Sequence, residues 1–269
     1  MNNVFQKTFK QGSTTYYNSS IFFPKKVKKD VFILYSFVRI ADNFVDSIPQ
    51  NAQGFNEFKT HYQQAVQGQP SNNTIIDSFV DLLHRKCFSV KWVNAFIHSM
   101  ECDLSKTEYN TMEETLEYMY GSAEVIGLFM CRILNLQEQA EYAASMQGRA
   151  MQYINFIRDI KEDAELGRRY LPLTDSGLSS LTEPAARAAP GLFTSFIRRE
   201  IERYKTWQDE ANAGFHLIPK RLRIPIRTAA DMYLWTAEKI WKNPFLIFQT
   251  RVKPSRTRIL MQLVFNIFR

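Results

Sequence analysis

An all-α fold is predicted by three features of the sequence. Apolar residues recur at spacings of three and four rather than two. No stretch of four to eight residues alternates cleanly between hairpin signals, and the 10 Gly and 10 Pro among 269 residues are sparse inside the periodic runs. Residues 1–269 read as a single all-α domain.

The elements follow in order. Val27–Ile48, VKKDVFILYSFVRIADNFVDSI, is apolar on almost every side, as a buried helix is. Pro24 before it and Pro49 after it set its ends. Helical periodicity then covers Gly54–Gln67, Ser71–Phe88, Val90–Leu104, Met112–Leu134, Gln137–Glu165, Leu192–Ala213 and Pro225–Trp241. A last helix is expected over Ser255–Phe268. Leu171–Gly191, with three Pro and two Gly, is expected to be a loop. Too few helices lie on either side of it for two independent domains, and no internal repeat is visible.

Composition narrows the function classes. A hydrophobic fraction of 45% and 21 Phe exclude disorder. Cys87, Cys102 and Cys131 are too few and scattered for a disulfide framework, which predicts a reducing, cytoplasmic location. The opening MNNVFQKTFKQGSTTYYNSS lacks the apolar centre of a secretory signal. No run of 18 apolar residues exists, so no transmembrane helix is expected. The net charge of +7 favours anionic partners. No GxG, P-loop or GxSxG spacing occurs, and His61, His84, His98 and His216 never fall as HxxxH. Basic residues do not gather on one recognition helix, so no nucleic-acid partner is expected.

Aspartates supply the positive signal. The 11 Asp include three DxxxD pairs, where random placement gives roughly 0.4. On a helix each pair projects two carboxylates from one face. Asp77/Asp81 has polar flanks and Arg85 one turn after Asp81, the pattern of a solvated face. Asp42/Asp46 lies on the apolar first helix, where unpaired carboxylates would cost several kcal/mol. Arg39, three residues before Asp42, offers a counter-charge. Either a structural ion pair or a metal-bridged diphosphate explains that pair. Asp159/Asp163 extends a stripe with Gln152 and Asn155, at spacings of three, four and four, ending near Arg168 and Arg169.

One chemistry unites the last two pairs. Mg²⁺ takes one or two carboxylates and completes its shell with water and phosphate oxygens. Facing carboxylate stripes could hold such ions around diphosphates, with Arg39 and Arg168 neutralising the charge of a departing diphosphate. An ionised allylic diphosphate leaves a carbocation, which needs a dry apolar cavity.

In order and spacing, STTYYNSSIFFP, LYSFVRIADNFVD, EYMYGSAEVIGL and QYINFIRDIKEDAELGRRYLP resemble the squalene/phytoene synthase family. The resemblance runs from about Gln11 to Pro172 and continues weakly through Tyr233 to Arg251 and Val252. YGSAEVIGL is most similar to the phytoene synthase branch. The resemblance implies an isoprenoid synthase helical bundle around a central cavity. There a prenyltransferase joins two prenyl diphosphates head to head through a cyclopropyl diphosphate.

Carried over by position, Asp42, Asp46, Asp159 and Asp163 match the metal–diphosphate aspartates. Arg39 and Arg168 match diphosphate-binding arginines, and Tyr118 the active-site tyrosine. Gln152 and Asn155 match polar residues before the second aspartate motif, Asn155 being placed with the metal ligands. Ala123, Ile126 and Gly127 match cavity-lining positions where the helix opens locally. Thr15, Tyr170, Tyr233 and Arg251 complete the substrate-binding set. Gly12, Thr14 and Asn43 depart from the family pattern, Asn43 giving DNxxD in place of a paired acid.

The resemblance implies that two geranylgeranyl diphosphates yield 15-cis-phytoene in carotenoid biosynthesis, with Mg²⁺ or Mn²⁺ and without a nicotinamide. The alternative is squalene or dehydrosqualene from two farnesyl diphosphates, with NADPH required only for squalene. A reading from another class is a non-catalytic assembly or chaperone relative, against which the retained aspartate motifs argue. A small Ser20 and a floor formed by Phe32 are expected to leave room for the longer tail. The ending RVKPSRTRILMQLVFNIFR is either a final bundle helix or an interfacial helix attached to the inner face of an anionic membrane. The sequence leaves monomer and homodimer both open.

Overall fold

The computed structural model describes Phe5 and residues 23–268. Thr15, Ser20, Gly12 and Thr14 lie outside the described residues.

The buried first helix, α1, spans Lys25–Asp46. Val31, Phe32, Ile33, Leu34, Phe37, Ala41 and Val45 bury its faces, and it ends where Ser47 turns extended ahead of Pro49. Next come α2 (Ala52–Val66), α3 (Thr74–Arg85) and α4 (Val90–Ser105). Asn51 and Asn73 cap α2 and α3, their side chains accepting bonds from first-turn amides. Phe37 stacks on Phe79 at 3.7 Å between ring centroids, with Phe58, Tyr62 and Phe96 around them. Truncating so deeply buried a ring as Phe37 costs about 3–5 kcal/mol.

The run expected as one helix over Met112–Leu134 is interrupted. It comprises α5 (Met112–Met119), a π-helical turn over Tyr120–Glu124, and α6 (Val125–Leu134). Close approach accompanies the turn. A Cβ on Gly121 would fall 2.1 Å from the Ala95 carbonyl oxygen, and one on Gly127 would fall 2.0 Å from that of Ala144. Likewise Gln137–Glu165 divides into a 3₁₀ turn (Glu138–Ala140), α7 (Glu141–Arg158) and α8 (Ile160–Glu165), the break falling at Asp159.

Two expectations need correction. The Leu171–Gly191 interval holds a short helix, α9 (Glu183–Ala188), and the start of α10 (Pro190–Ala213). Two of its three prolines, Pro184 and Pro190, stand in first helical turns, where the missing N–H is harmless. Pro225 does not begin its helix: α11 spans Lys220–Lys242 and contains it. So near the N-terminus, a proline removes a single ladder bond. The chain closes with α12 (Leu246–Gln249) and α13 (Arg256–Phe268).

Two large apolar clusters result. One gathers α1–α4 and α6, the other α5, α7, α10 and α11. The cavity described next lies between them. Phe32 is not its floor: the ring is fully buried in the first cluster and does not reach the cavity.

Candidate active site

A cavity of about 460 Å³ is walled by α1, α6, α7 and α11. Its lining is mostly apolar, and its two charged residues lie at the end where Gln152 and Asn155 also stand. Arg39 and Asp42 come from α1, Gln152 and Asn155 from α7. Towards the other end α7 presents Gly148, Ala144 and Ala143, and the 3₁₀ turn before it presents Ala140, small residues that leave the lumen open. Tyr118, Ala123, Ile126, Gly127 and Tyr233 also line it. Of these, Ala123 lies in the π-helical turn and Ile126 and Gly127 just beyond it.

The remaining predicted residues gather beside that polar end. Arg39 Nη1 donates to Asp42. Arg168 Nη1 donates to Asp46 Oδ1 at 2.9 Å, while its Nη2 reaches the Val45 carbonyl at 2.6 Å and the Asp103 carbonyl at 3.2 Å. The Val45 carbonyl belongs to the last turn of α1, where a cation also meets the negative end of the helix dipole. Arg168 is itself fixed by its backbone. Its N–H donates to the Asp163 carbonyl at 2.8 Å, and Arg169 pairs with the segment after α4 through Thr107 and Tyr109. The residues expected to carry the second aspartate motif are thereby stitched to the end of the first.

Asp159 sits at the α7–α8 break and is gripped from two sides. Arg158 donates at 2.7 and 2.5 Å, and Arg251 at 3.1 and 2.8 Å. Burial would raise its proton affinity, but the two guanidinium groups outweigh burial and hold it below the usual carboxylate range. Asp163 has the opposite fate. Burial, then the charges of Asp159 and Asp46, push it up to about 8 against the pull of Arg168. Asp42 is pushed up to about 7 by burial and Asp46, with Arg39 opposing. About 31% of the Asp42 side chain is accessible, but the carboxylate lines the cavity, so this access does not relieve it as bulk water would.

A divalent cation fits this donor set, which is hard oxygen throughout. Asn155 Oδ1 is buried and accepts no hydrogen bond, an open acceptor at the cavity's polar end. Among the described residues no three carboxylate, histidine or cysteine side chains converge tightly enough to hold an ion alone. The set suits an ion shared with a bound diphosphate.

Two residues escaped the sequence reading, Arg158, which grips Asp159, and Asp103. Asp103 on α4 is buried and accepts from Tyr118 Oη at 2.7 Å and from Tyr170 Oη at 2.7 Å. Burial raises it to about 6 despite Arg168 and both tyrosine bonds. Phe156 stacks on Tyr170 at 4.4 Å, and Tyr118 packs beside Tyr170 at 5.1 Å. Tyr170 therefore faces a second recess of about 260 Å³ with Asp163 and Arg168, rather than the main cavity. A signal for Asp103 was present: it continues the buried Phe96, Ser99, Met100 face of α4 as its one charged residue. Asp77 and Asp81 lie elsewhere. Asp77 accepts from Ser71 Oγ at 2.7 Å and Asp81 from Arg85 at 2.7 Å. Arg85 also reaches the buried Asp30 at 3.0 Å.

Known proteins match this chain over nearly its whole length. The squalene/phytoene synthase family profile matches residues 9–258. A 15-cis-phytoene synthase of Enterobacter agglomerans is 29% identical, covering 94% of this chain and 90% of the relative. A 15-cis-phytoene synthase of Synechocystis sp. is 26% identical, covering 94% and 80%. A dehydrosqualene synthase crystal structure superposes with a TM-score of 0.87 at 21% identity, covering 98% of this chain and 94% of that one. Squalene synthase HpnC from Alicyclobacillus acidocaldarius gives 0.80 at 20% identity, covering 90% and 93%.

Proposed function

The chain belongs to the squalene/phytoene synthase family, and within it we propose that the protein condenses two geranylgeranyl diphosphates head to head to 15-cis-phytoene. The observation that carries the proposal is the meeting of two aspartate pairs and four arginines beside the polar end of an apolar cavity. Geranylgeranyl diphosphate is favoured because the phytoene synthases similar to this chain align over most of its length. Likeness to the squalene and dehydrosqualene synthase structures bears on the fold alone.

Asp42, Asp46, Asp159, Asp163 and Asn155 are the residues that would hold Mg²⁺ or Mn²⁺. When bound, the cation supplies neutralising charge for a departing diphosphate. The chain's own residues do the rest. Arg39 and Arg168 exchange their carboxylate partners for diphosphate oxygens, to which guanidinium forks are well matched. Breaking the allylic C–O bond leaves its electron pair on the diphosphate and a cation on the prenyl chain. The apolar walls keep water from that cation, so the double bond of the second prenyl chain captures it. The new cation loses a proton as the cyclopropyl ring closes. Departure of the second diphosphate, rearrangement and a further proton loss give phytoene. Tyr118 stays neutral, since burial and then Asp103 raise its proton affinity well above the usual phenol range. Its ring, held by Asp103, forms part of the cavity wall.

The test is product analysis after incubation with each prenyl diphosphate and Mg²⁺, with and without NADPH. Phytoene from geranylgeranyl diphosphate without NADPH is expected. A thirty-carbon product from farnesyl diphosphate alone would move the protein to the squalene or dehydrosqualene reading, and no product from either would favour a non-catalytic relative.

A further inference from the structure

Ser122 stands in the cavity wall with its hydroxyl uncommitted. It belongs to the π-helical turn and lines the cavity, and its Oγ is buried with no hydrogen-bond partner among the described residues. A serine inside a helix ordinarily settles its hydroxyl on the carbonyl four residues back. Here that carbonyl belongs to Tyr118, and Ser99 Oγ from α4 donates to it at 2.9 Å. The Tyr118 hydroxyl is likewise committed, to Asp103. Glu124, in the same turn as Ser122, accepts from Ser145 Oγ and Arg149 Nε at 2.7 Å each. The turn is thus pinned to α4 and α7 through its neighbours while Ser122 is left unmet. A buried hydroxyl without a partner costs stability, and departures of this kind from local rules gather at functional sites.

Helix register shows what the hydroxyl would meet. Gly127 closes on the Ala144 carbonyl and Gly148 on the Ala123 carbonyl, so α6 and the turn before it run antiparallel to α7. Ser122 therefore comes level with Arg149. That is three residues before Gln152 and six before Asn155, or about 4.5 and 9 Å along the axis of α7. Gln152 and Asn155 stand at the polar end of the cavity, which places Ser122 where the lining turns apolar. A diphosphate group and its C–O bond are of comparable length. The allylic carbons of a substrate anchored at the polar end would fall beside Ser122, and those carbons carry the positive charge once the C–O bond breaks.

We propose that Ser122 is a catalytic residue whose Oγ stabilises the prenyl cation, a role that rests on the reading of the protein as a head-to-head prenyl diphosphate synthase. Rotation about χ1 carries the hydroxyl between staggered positions on the wall, and no hydrogen bond has to break for its lone pairs to turn towards the cation. In an apolar cavity such a charge–dipole contact is far stronger than in water. The contact exists only once charge develops, so it lowers the barrier without tightening the binding of the neutral chain. Either prenyl chain length is compatible with it.

Ser122→Ala tests the role in the full chain with Mg²⁺ and whichever of geranylgeranyl and farnesyl diphosphate the wild-type chain converts. kcat is expected to fall at least about tenfold with KM within about twofold. Thermal unfolding without substrate should come at the same or a higher temperature, because the variant removes an unmet buried hydroxyl. A merely structural role would lower activity and unfolding temperature together. Ser122→Cys then locates the cation. The introduced sulfur attacks C1 of the ionised chain to form a thioether, and the thiol proton passes to the departed diphosphate. Peptide mass spectrometry should find one prenyl group at position 122 and none at Cys131, which lines the cavity nine residues further from the polar end. Undiminished kcat in Ser122→Ala, a matching loss of unfolding temperature, or an unmodified thiol at position 122 overturns the proposal while wild-type product formation keeps the functional reading. No product from the wild-type chain with either substrate overturns that reading and this role with it.

Discussion

The two aspartate pairs proposed to be catalytic have the same spacing and different backbones. Asp42 and Asp46 ride an uninterrupted helix, whereas Asp159 lies at a break, with φ −98° and ψ 16°, and Asp163 stands on the short α8. Their electrostatics nevertheless follow one plan. In each pair one acid is bridged to an arginine from a distant element, Asp46 to Arg168 and Asp159 to Arg251. The other acid, Asp42 or Asp163, is driven towards protonation by burial and by its neighbours. Straightness of the helix is therefore not what matters. The arrangement holds one carboxylate per pair against an arginine and leaves the other with charge strain that a cation would relieve.

Removing the bridged acids should produce the largest effect. Asp46→Asn and Asp159→Asn are each expected to lower turnover by at least about 10²–10³-fold. Asp77→Ala/Asp81→Ala should leave turnover within about twofold and lower stability by about 1 kcal/mol through the lost contacts to Ser71 and Arg85. Product yield and chemical denaturation measure the two quantities. Essential Asp77 or Asp81, or near-normal turnover in Asp46→Asn, would break the assignment.

Asp103 lies between the pairs, taking both tyrosine hydroxyls and, through its carbonyl, Arg168. An amide has one acceptor oxygen where the carboxylate has two, so Asp103→Asn deprives one tyrosine hydroxyl of its acceptor. Turnover is expected to fall about tenfold to a hundredfold, with the effect mainly on kcat. Tyr118→Phe should depress kcat comparably while leaving Mg²⁺ affinity unchanged. The double variant should be no worse than the more damaging single, because both act through one unit. Equal loss of metal affinity in Tyr118→Phe would move Tyr118 to the diphosphate end.

Protonation gives a third, smaller test. Between about pH 4 and the raised values near 7 and 8, Asp42 and Asp163 bind more protons folded than unfolded. The slope of unfolding free energy with pH is then negative. Their contribution is complete below pH 4 and is lost as pH rises towards 8. Metal-free protein should accordingly gain stability from these two groups on acidification across that window, and Asp163→Asn should flatten the dependence. Mg²⁺ binding in the presence of diphosphate should release protons at pH 7, read as a buffer-dependent enthalpy in calorimetry. Absence of release would mean that neither acid meets the ion.

Much of this was legible in the sequence because it is local. Helix periodicity, the i,i+4 carboxylates and the Asp81–Arg85 pair all depend on residues a turn apart. What the residue pattern alone did not carry depends on separation. The π-helical turn, expected only through the family resemblance, is fixed by glycine contacts with α4 and α7, and the partners of Asp159 and Asp46 lie 92 and 122 residues away. Asp103 was missed for a related reason. A lone aspartate has no i,i+4 partner, and its value comes from tyrosines 15 and 67 residues distant. Phe32 failed as a cavity floor because periodicity says that a residue is buried without saying on which side.

The smallest expected effect concerns what the two pairs share, the cavity proposed to receive both prenyl tails. Asn155 and Ala144 lie on the same helix, eleven residues and about 16 Å apart at the α-helical rise. Both line the cavity, with Ala144 well down its apolar part. The Ala144 carbonyl already closes against Gly127, so the wall behind it cannot retreat to make room for a larger side chain. Ala144→Phe should therefore shorten the lumen rather than deform it. One such obstruction is worth about 1–3 kcal/mol of discrimination, enough to move the preference from geranylgeranyl towards farnesyl diphosphate by tenfold or more. Competition assays with both substrates read this ratio directly, while Mg²⁺ dependence serves as the control, since Ala144 lies far from either aspartate pair. A changed metal dependence would mean that the helix had shifted as a whole. An unchanged ratio in a folded variant would mean that the tails do not run along α7.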